Sequence, residues 1–146
     1  MTGQERWRTN WQVVAPAGAV RVDLSRSARL RRAQRRRIQA MPVGTWVVLC
    51  DSIPGSRWRC RSFAARAGVR LDREYAALPS MRAPAYLVQD ARESSSYFCS
   101  AVLTVPPGAA VLAGLLELLL RLVGALALQG LIGVLSPGRV AVGRRT

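Results

Sequence analysis

PVGTWVVLCDSIPGSRWRCRSFAARAGVRLDREYAALPSMRAPAYLVQD, residues 42–90, is the stretch whose punctuation decides the fold class. Gly44 introduces Thr45 to Cys50, an uninterrupted apolar run of the kind found in a strand covered on both faces, as in a parallel sheet. The run stops at Asp51-Ser52, Pro54-Gly55 turns the chain, and Ser56 is a candidate N-cap. Arg57 to Ala67 then predicts a helix burying Trp58, Ala65 and Phe63, with Gly68 at the position that favours a left-handed conformation. In the next extended run Val69, Leu71, Tyr75 and Ala77 share one side and Arg70, Asp72, Glu74 and Ala76 the other, the pattern of a half-exposed or edge strand. Pro79 to Pro84 connects it to a strand at Ala85 to Val88. Strand, helix, strand and strand in this order give an α/β domain.

Upstream, Gln12 to Ala15 and Ala19 to Leu24 are short apolar patches separated by Pro16-Ala17-Gly18, and the second alternates like a short edge strand or hairpin arm. SRSARLRRAQRRRIQAM, residues 25–41, predicts a helix capped by Ser25 or Ser27 and ended by Pro42. Leu30, Ala33, Ile38 and Met41 give it only a thin apolar stripe, while Arg29, Arg31, Arg32, Arg35, Arg36 and Arg37 fill the remaining face. Downstream, Asp90 and Glu93 have capping-box spacing before a short helix at Ser94 to Val102, with Tyr97, Phe98 and Leu103 available for burial. The last stretch, Arg139 to Val142, is a short terminal strand or an ordered tail. The organisation is an N-terminal extension (1–24), a basic helix with an α/β subdomain (25–104), and an apolar helical segment with a terminal strand (105–146).

The apolar segment, Ala109 to Leu135, is entered by Pro106-Pro107-Gly108 and left by Ser136-Pro137-Gly138. As one helix at ~1.5 Å per residue it would be about 40 Å long, more than the roughly 30 Å hydrocarbon core requires. Ala110, Ala113, Gly114, Glu117, Arg121 and Gly124 fall on a narrow stripe, and Glu117 and Arg121 can neutralise each other at i, i+4. Three readings stay open: a transmembrane span facing a partner through that stripe, a monotopic helix with the stripe toward the headgroups, or two shorter helices packed on the sheet.

The chain of 146 residues has a formal charge of +14, from 22 basic against 8 acidic residues, and every basic residue is arginine. Arginine without lysine, beside abundant Ala, Gly and Val, is also what a GC-rich coding bias produces, so the basic surface has a compositional as well as a functional reading. With no histidine, Ser-His-Asp and Cys-His nucleophiles and His-ligated zinc are excluded within the chain. Cys50, Cys60 and Cys99 are widely spaced and form no C-x-x-C pair, which predicts reduced, buried thiols in a cytosolic setting. The N-terminal MTGQERWRTNWQ lacks the apolar core of an export signal.

Residues 42–90 resemble the C-terminal third of a Rossmann-like class I S-adenosylmethionine-dependent methyltransferase. A strand after a Pro/Gly turn (Trp46 to Cys50), a helix ending in Ala-Gly (Arg57 to Gly68), an extended v-x-x-Y-x-x-L-P strand (Val69 to Pro79) and a final strand (Ala85 to Val88) carry the likeness. That family holds its cofactor with a Gly-rich turn after its first strand and an acidic residue on the ribose. No G-x-G-x-G follows any strand here, so the resemblance implies the back half of such a fold, binding no cofactor alone and S-adenosylmethionine only if another polypeptide completes it.

The expected function is that of a non-catalytic or cofactor-incomplete accessory protein, cytoplasmic and peripheral on the inner face of the membrane, serving envelope polysaccharide or glycolipid synthesis. The rivals are a methyltransferase fragment completed in trans and a basic nucleic-acid-binding module, although no RNP, KH or zinc-finger signature occurs. The candidate ligand loop is Asp51-Ser52, just past the carboxyl end of a strand. The candidate phosphate surface is Arg29, Arg31, Arg32, Arg35, Arg36 and Arg37, facing an anionic membrane or a protein partner. Glu117 and Arg121 are the candidate membrane or partner stripe, and no metal site is expected. Asp72 and Glu74, with Arg70 and Arg73 nearby, read as surface ion pairs.

Overall fold

The computed structural model describes residues 10–53, 55–78, 81, 84–91, 93–94, 97–98, 114 and 136–146. After a 3₁₀ turn at Asn10–Val13 come β1 (Val20–Asp23), α1 (Ala28–Gln39), β2 (Trp46–Asp51), α2 (Ser56–Ala67), β3 (Val69–Leu78), β4 (Tyr86–Gln89) and β5 (Arg139–Arg145). The strands form one mixed sheet in the order β1-β2-β5-β3-β4. β1 and β2 are parallel, while β5 runs antiparallel to both β2 and β3, and β4 is antiparallel to β3. Strands from all three stretches of sequence, 1–24, 25–104 and 105–146, therefore share one sheet. The chain is α/β, with the two helices on one face.

That face is packed by Val22, Leu24, Ile38, Val47, Leu49, Cys60, Phe63, Ala64, Ala67, Val69 and Ala141. On the other, Val48, Cys50, Tyr75, Ala77, Met81, Val140 and Val142 are covered in part by Trp11, Val14, Ala15 and Ala19 from the N-terminal segment. β2 is buried on both faces as its unbroken apolar run predicts, with Val47, Val48 and Leu49 fully inaccessible. Its neighbours are mixed in direction, because an apolar run reports coverage and not strand orientation.

Three expectations change. β3 pairs with β5 over Val69 to Ala76 but with β4 only over Tyr75 to Leu78, so its first half is half-exposed as expected and its second half is interior, and a bulge lies between Leu71 and Arg73. The extra residue turns the alternation over: Val69 and Leu71 face the helices, whereas Tyr75 and Ala77 face the opposite side. In α2 the buried stripe is Cys60, Phe63, Ala64 and Ala67, at i, i+3, i+4 and i+7, which leaves Trp58 80% exposed and Ala65 on the surface. The N-cap is Gly55, left-handed at φ 77°, and Ser56 is instead the first helical residue. Gly68 does adopt the left-handed conformation expected of it, at φ 68°.

α1 begins as expected, with Ser27 Oγ accepting from the Leu30 amide at 3.5 Å. It buries only Ile38, and Leu30 is 46% exposed. One such side chain contributes about 2 kcal/mol. Hydrogen bonds to its neighbours supplement it: Gln39 Nε2 donates to the Arg66 carbonyl at 3.0 Å and Arg31 Nη1 to the Leu24 carbonyl at 3.3 Å. α1 is the loosely anchored helix and α2 the firmly anchored one.

The expected helix at Ser94 to Val102 lies largely outside the described residues, as do Cys99 and the Ala109 to Leu135 segment with Glu117 and Arg121. Among the described residues no helix is long and apolar enough to cross a membrane.

β5 packs so closely against the bulge that a Cβ on Gly143 would lie 2.3 Å from the Arg70 carbonyl oxygen. The obstacle is backbone and cannot swing aside, so Gly143→Ala is expected to cost roughly 1–3 kcal/mol in urea unfolding. An unchanged midpoint would mean that β5 and β3 are not in this register.

Candidate functional site: an arginine cleft at the carboxyl edge of the sheet

On the helix side of the sheet, the carboxyl end of β2 and the start of β5 place Asp51 opposite Arg139 in the ladder. The reversed alternation of β3 brings Glu74 to the same side. Arg139, fully buried, reaches Glu74 Oε2 at 2.7 Å and Asp90 Oδ2 at 2.8 Å through Nη1. α2 closes the cluster from above, with Arg61 Nε 2.8 Å from Glu74 Oε1 and Arg57 Nε 3.3 Å from Asp90 Oδ2. Glu74 is thus committed to an internal network. Asp72 alone keeps the expected surface role, between Arg70 at 3.7 Å and Arg144 at 3.0 Å.

Asp51, the first residue of the candidate ligand loop, is inaccessible to solvent, and Arg59 Nε stands 3.2 Å from its Oδ2. Burial pushes its carboxyl above the ordinary value of 3.8, against the opposing pull of Arg59 and the Ile53 and Ser52 amides. Ser52 is half-buried beside it. Asp51 is therefore a buried ion-pair partner and presents no carboxylate to a ligand.

The open part of this edge lies between the helices. A cleft of about 540 Å³ is lined by Leu24, Ile53, Phe63 and Trp58 together with Arg31, Arg32, Arg35, Arg59 and Arg66. Its floor is stitched from both walls, since Arg59 Nη2 donates to the Leu24 carbonyl at 2.7 Å and Arg31 Nη1 to the same oxygen at 3.3 Å. The far end is closed by the Gln39–Arg66 bond. Arg66 also donates to the Ser62 carbonyl at 3.1 Å and to Ser62 Oγ, and Arg31 to the Arg26 carbonyl. Among the described residues no carboxylate lines the cleft.

The six arginines singled out in α1 thus divide. Arg31, Arg32 and Arg35 turn to the cleft, and Arg29, Arg36 and Arg37 are exposed and contribute nothing to its lining. Sequence reasoning missed Arg59, Arg66 and Trp58; the i, i+3, i+4, i+7 reading of Cys60, Phe63, Ala64 and Ala67 would have placed all three off the buried stripe. Trp11 and Trp46 are engaged elsewhere, each at 4.6 Å from a guanidinium, of Arg21 and Arg144 respectively.

S-adenosylmethionine does not fit these residues. Its sulfonium is cationic and the cleft offers guanidinium groups, while Asp23 at the end of β1 is held by Ser25 and Arg26 and Asp51 is sealed by Arg59. Among the described residues no group of His, Cys, Asp and Glu could hold a metal ion. No protein-family model matches the chain, and neither a curated protein nor a solved structure matches it.

Two outcomes follow. As pH falls through the raised pKa of Asp51 toward 3.8, wild type is expected to gain stability relative to Asp51→Asn, because the buried carboxyl becomes neutral. Urea titrations of both proteins across pH 7 to 4 would show a flat difference if Asp51 were solvated. Burial also pushes the Cys50 thiol up to about 11 and Cys60 higher still, so neither should react with a maleimide at pH 7 until the fold is opened. Peptide mapping after brief labelling reads this directly.

Proposed function

We propose that the chain is a methyltransferase-like, cofactor-incomplete accessory protein that works by docking on the anionic inner surface of the cytoplasmic membrane, in envelope polysaccharide or glycolipid assembly. The observation that carries the reading is the uncompensated guanidinium surface of α1. Among the described residues no carboxylate pairs with Arg29, Arg31, Arg32, Arg35, Arg36 or Arg37. Arg32 alone has Arg29, Arg35 and Arg36 at i±3 or i±4 spacing, where like charges repel. A surface of lipid phosphates relieves that repulsion.

The methyltransferase-like part of the proposal is supported by chain order. β1-α1-β2-α2-β3 is a βαβαβ unit with both helices on one face, the arrangement of one Rossmann half, and β5 enters antiparallel between β2 and β3. Completion in trans is favoured by a separate observation: β1 lies at the sheet's edge, and among the described strands nothing pairs with its outer side. A further parallel strand would add there.

Co-sedimentation with phosphatidylglycerol vesicles tests the membrane reading. Binding is expected at low salt, weakened at high salt and absent on phosphatidylcholine. Three charges at about 1 kcal/mol each make the Arg29→Ala/Arg36→Ala/Arg37→Ala variant roughly a hundredfold weaker. Equal binding to both lipids, or retention on RNA with none on lipid, would overturn it.

A further inference from the structure

The cleft between α1 and α2 differs from the outer face of α1 in shape and in chemistry. It is concave, and its volume of about 540 Å³ lies within the roughly 300–1,000 Å³ common to small-molecule sites. Its walls combine guanidinium groups with apolar surface, and its rim carries Trp58, an indole left 80% exposed by a helix that buries its neighbours Cys60 and Phe63. Its mouth lies beside the carboxyl ends of β1 and β2, where open α/β sheets bind ligands.

The state of the guanidinium groups narrows the ligand. Arg59 is committed to Asp51 and Leu24, Arg31 to backbone carbonyls, and Arg66 to the Ser62 carbonyl and hydroxyl. Arg32 and Arg35 make no ion pair or hydrogen bond to any described residue, and Arg35 Nε is a buried donor with no acceptor. A buried donor without an acceptor is costly, and an anionic oxygen in the cleft would satisfy it. Phosphate alone would leave the apolar wall and the Trp58 ring unused. A ligand bearing both phosphate and a flat aromatic ring uses both, since rings stack on indole and on guanidinium planes.

We propose that this cleft binds a small nucleoside phosphate, its phosphates held by Arg32 and Arg35 and its base stacked on Trp58. The site can be separated from the membrane reading by mutation, because Arg29, Arg36 and Arg37 take no part in it.

Isothermal titration calorimetry of the full chain with ATP, tripolyphosphate and adenosine, at fixed ionic strength, tests the assignment. ATP is expected to bind roughly tenfold tighter than tripolyphosphate, and adenosine much more weakly than either. Trp58→Ala, at an exposed position, should bring ATP down to the tripolyphosphate level and leave tripolyphosphate unchanged. Arg32→Ala/Arg35→Ala should weaken both, whereas Arg29→Ala/Arg36→Ala/Arg37→Ala should bind ATP like wild type. Equal affinity for ATP and tripolyphosphate, or indifference to Trp58→Ala, overturns the ring assignment. A short single-stranded RNA binding tighter than ATP overturns the small-molecule assignment in favour of nucleic acid. No binding of either phosphate probe overturns the site, whatever the vesicles do.

Discussion

A guanidinium with no exposure to water has to be neutralised where it stands, and Arg139 is such a group. Its two carboxylate partners come from β3 and the end of β4, and those carboxylates are shared with Arg57 and Arg61 of α2. One buried cation thus fixes the register of β5 against β3, the position of the β4 terminus and the seat of α2. Removing a single partner from such a network costs about 3–5 kcal/mol because the remaining charge stays buried. The bulge at Leu71/Arg73 is part of the same constraint, since without the extra residue Glu74 would point to the other face of the sheet.

The network also sorts the arginines of this strongly basic chain. Of 8 acidic residues, Asp51, Glu74 and Asp90 are used at the carboxyl edge of the sheet, all with arginines from α2 or β5. α1 contains no acidic residue, and among the described residues no carboxylate pairs with its arginines. The result is a sealed, internally balanced half of the edge beside an open, positive half. The helix with the weakest apolar anchoring is the one that gains most from an external anion, so ligand binding and docking of α1 are energetically linked.

Much of the fold was legible from residue order. The apolar run of β2, Ser27 as a cap and Gly68 as a helix stop each follow from local chemistry, and so does the α/β class. The bulge was not legible, because Arg70 to Glu74 carries no glycine or proline to mark it. Trp58 reads as core on hydrophobicity alone, although Cys60, Phe63 and small alanines hold the buried stripe. Arg139 to Val142 reads as a short terminal strand or an ordered tail; it is a strand, and only long-range pairing reveals that β5 is central. The arginine surface was recognised on α1, but its concave part needed Arg59 and Arg66 from a helix read only for burial.

The fold and the open cleft both depend on the division of the arginines into a sealed set and an open one. Assigned arginine Nε–H signals in solution, followed for exchange with water before and after addition of a phosphate-bearing ligand, measure it residue by residue. The account predicts slow exchange at Arg139 regardless of ligand, and fast exchange at Arg32 that slows when the anion is present. Exchange at Arg139 as rapid as at Arg32, or cleft signals indifferent to the anion, would contradict it.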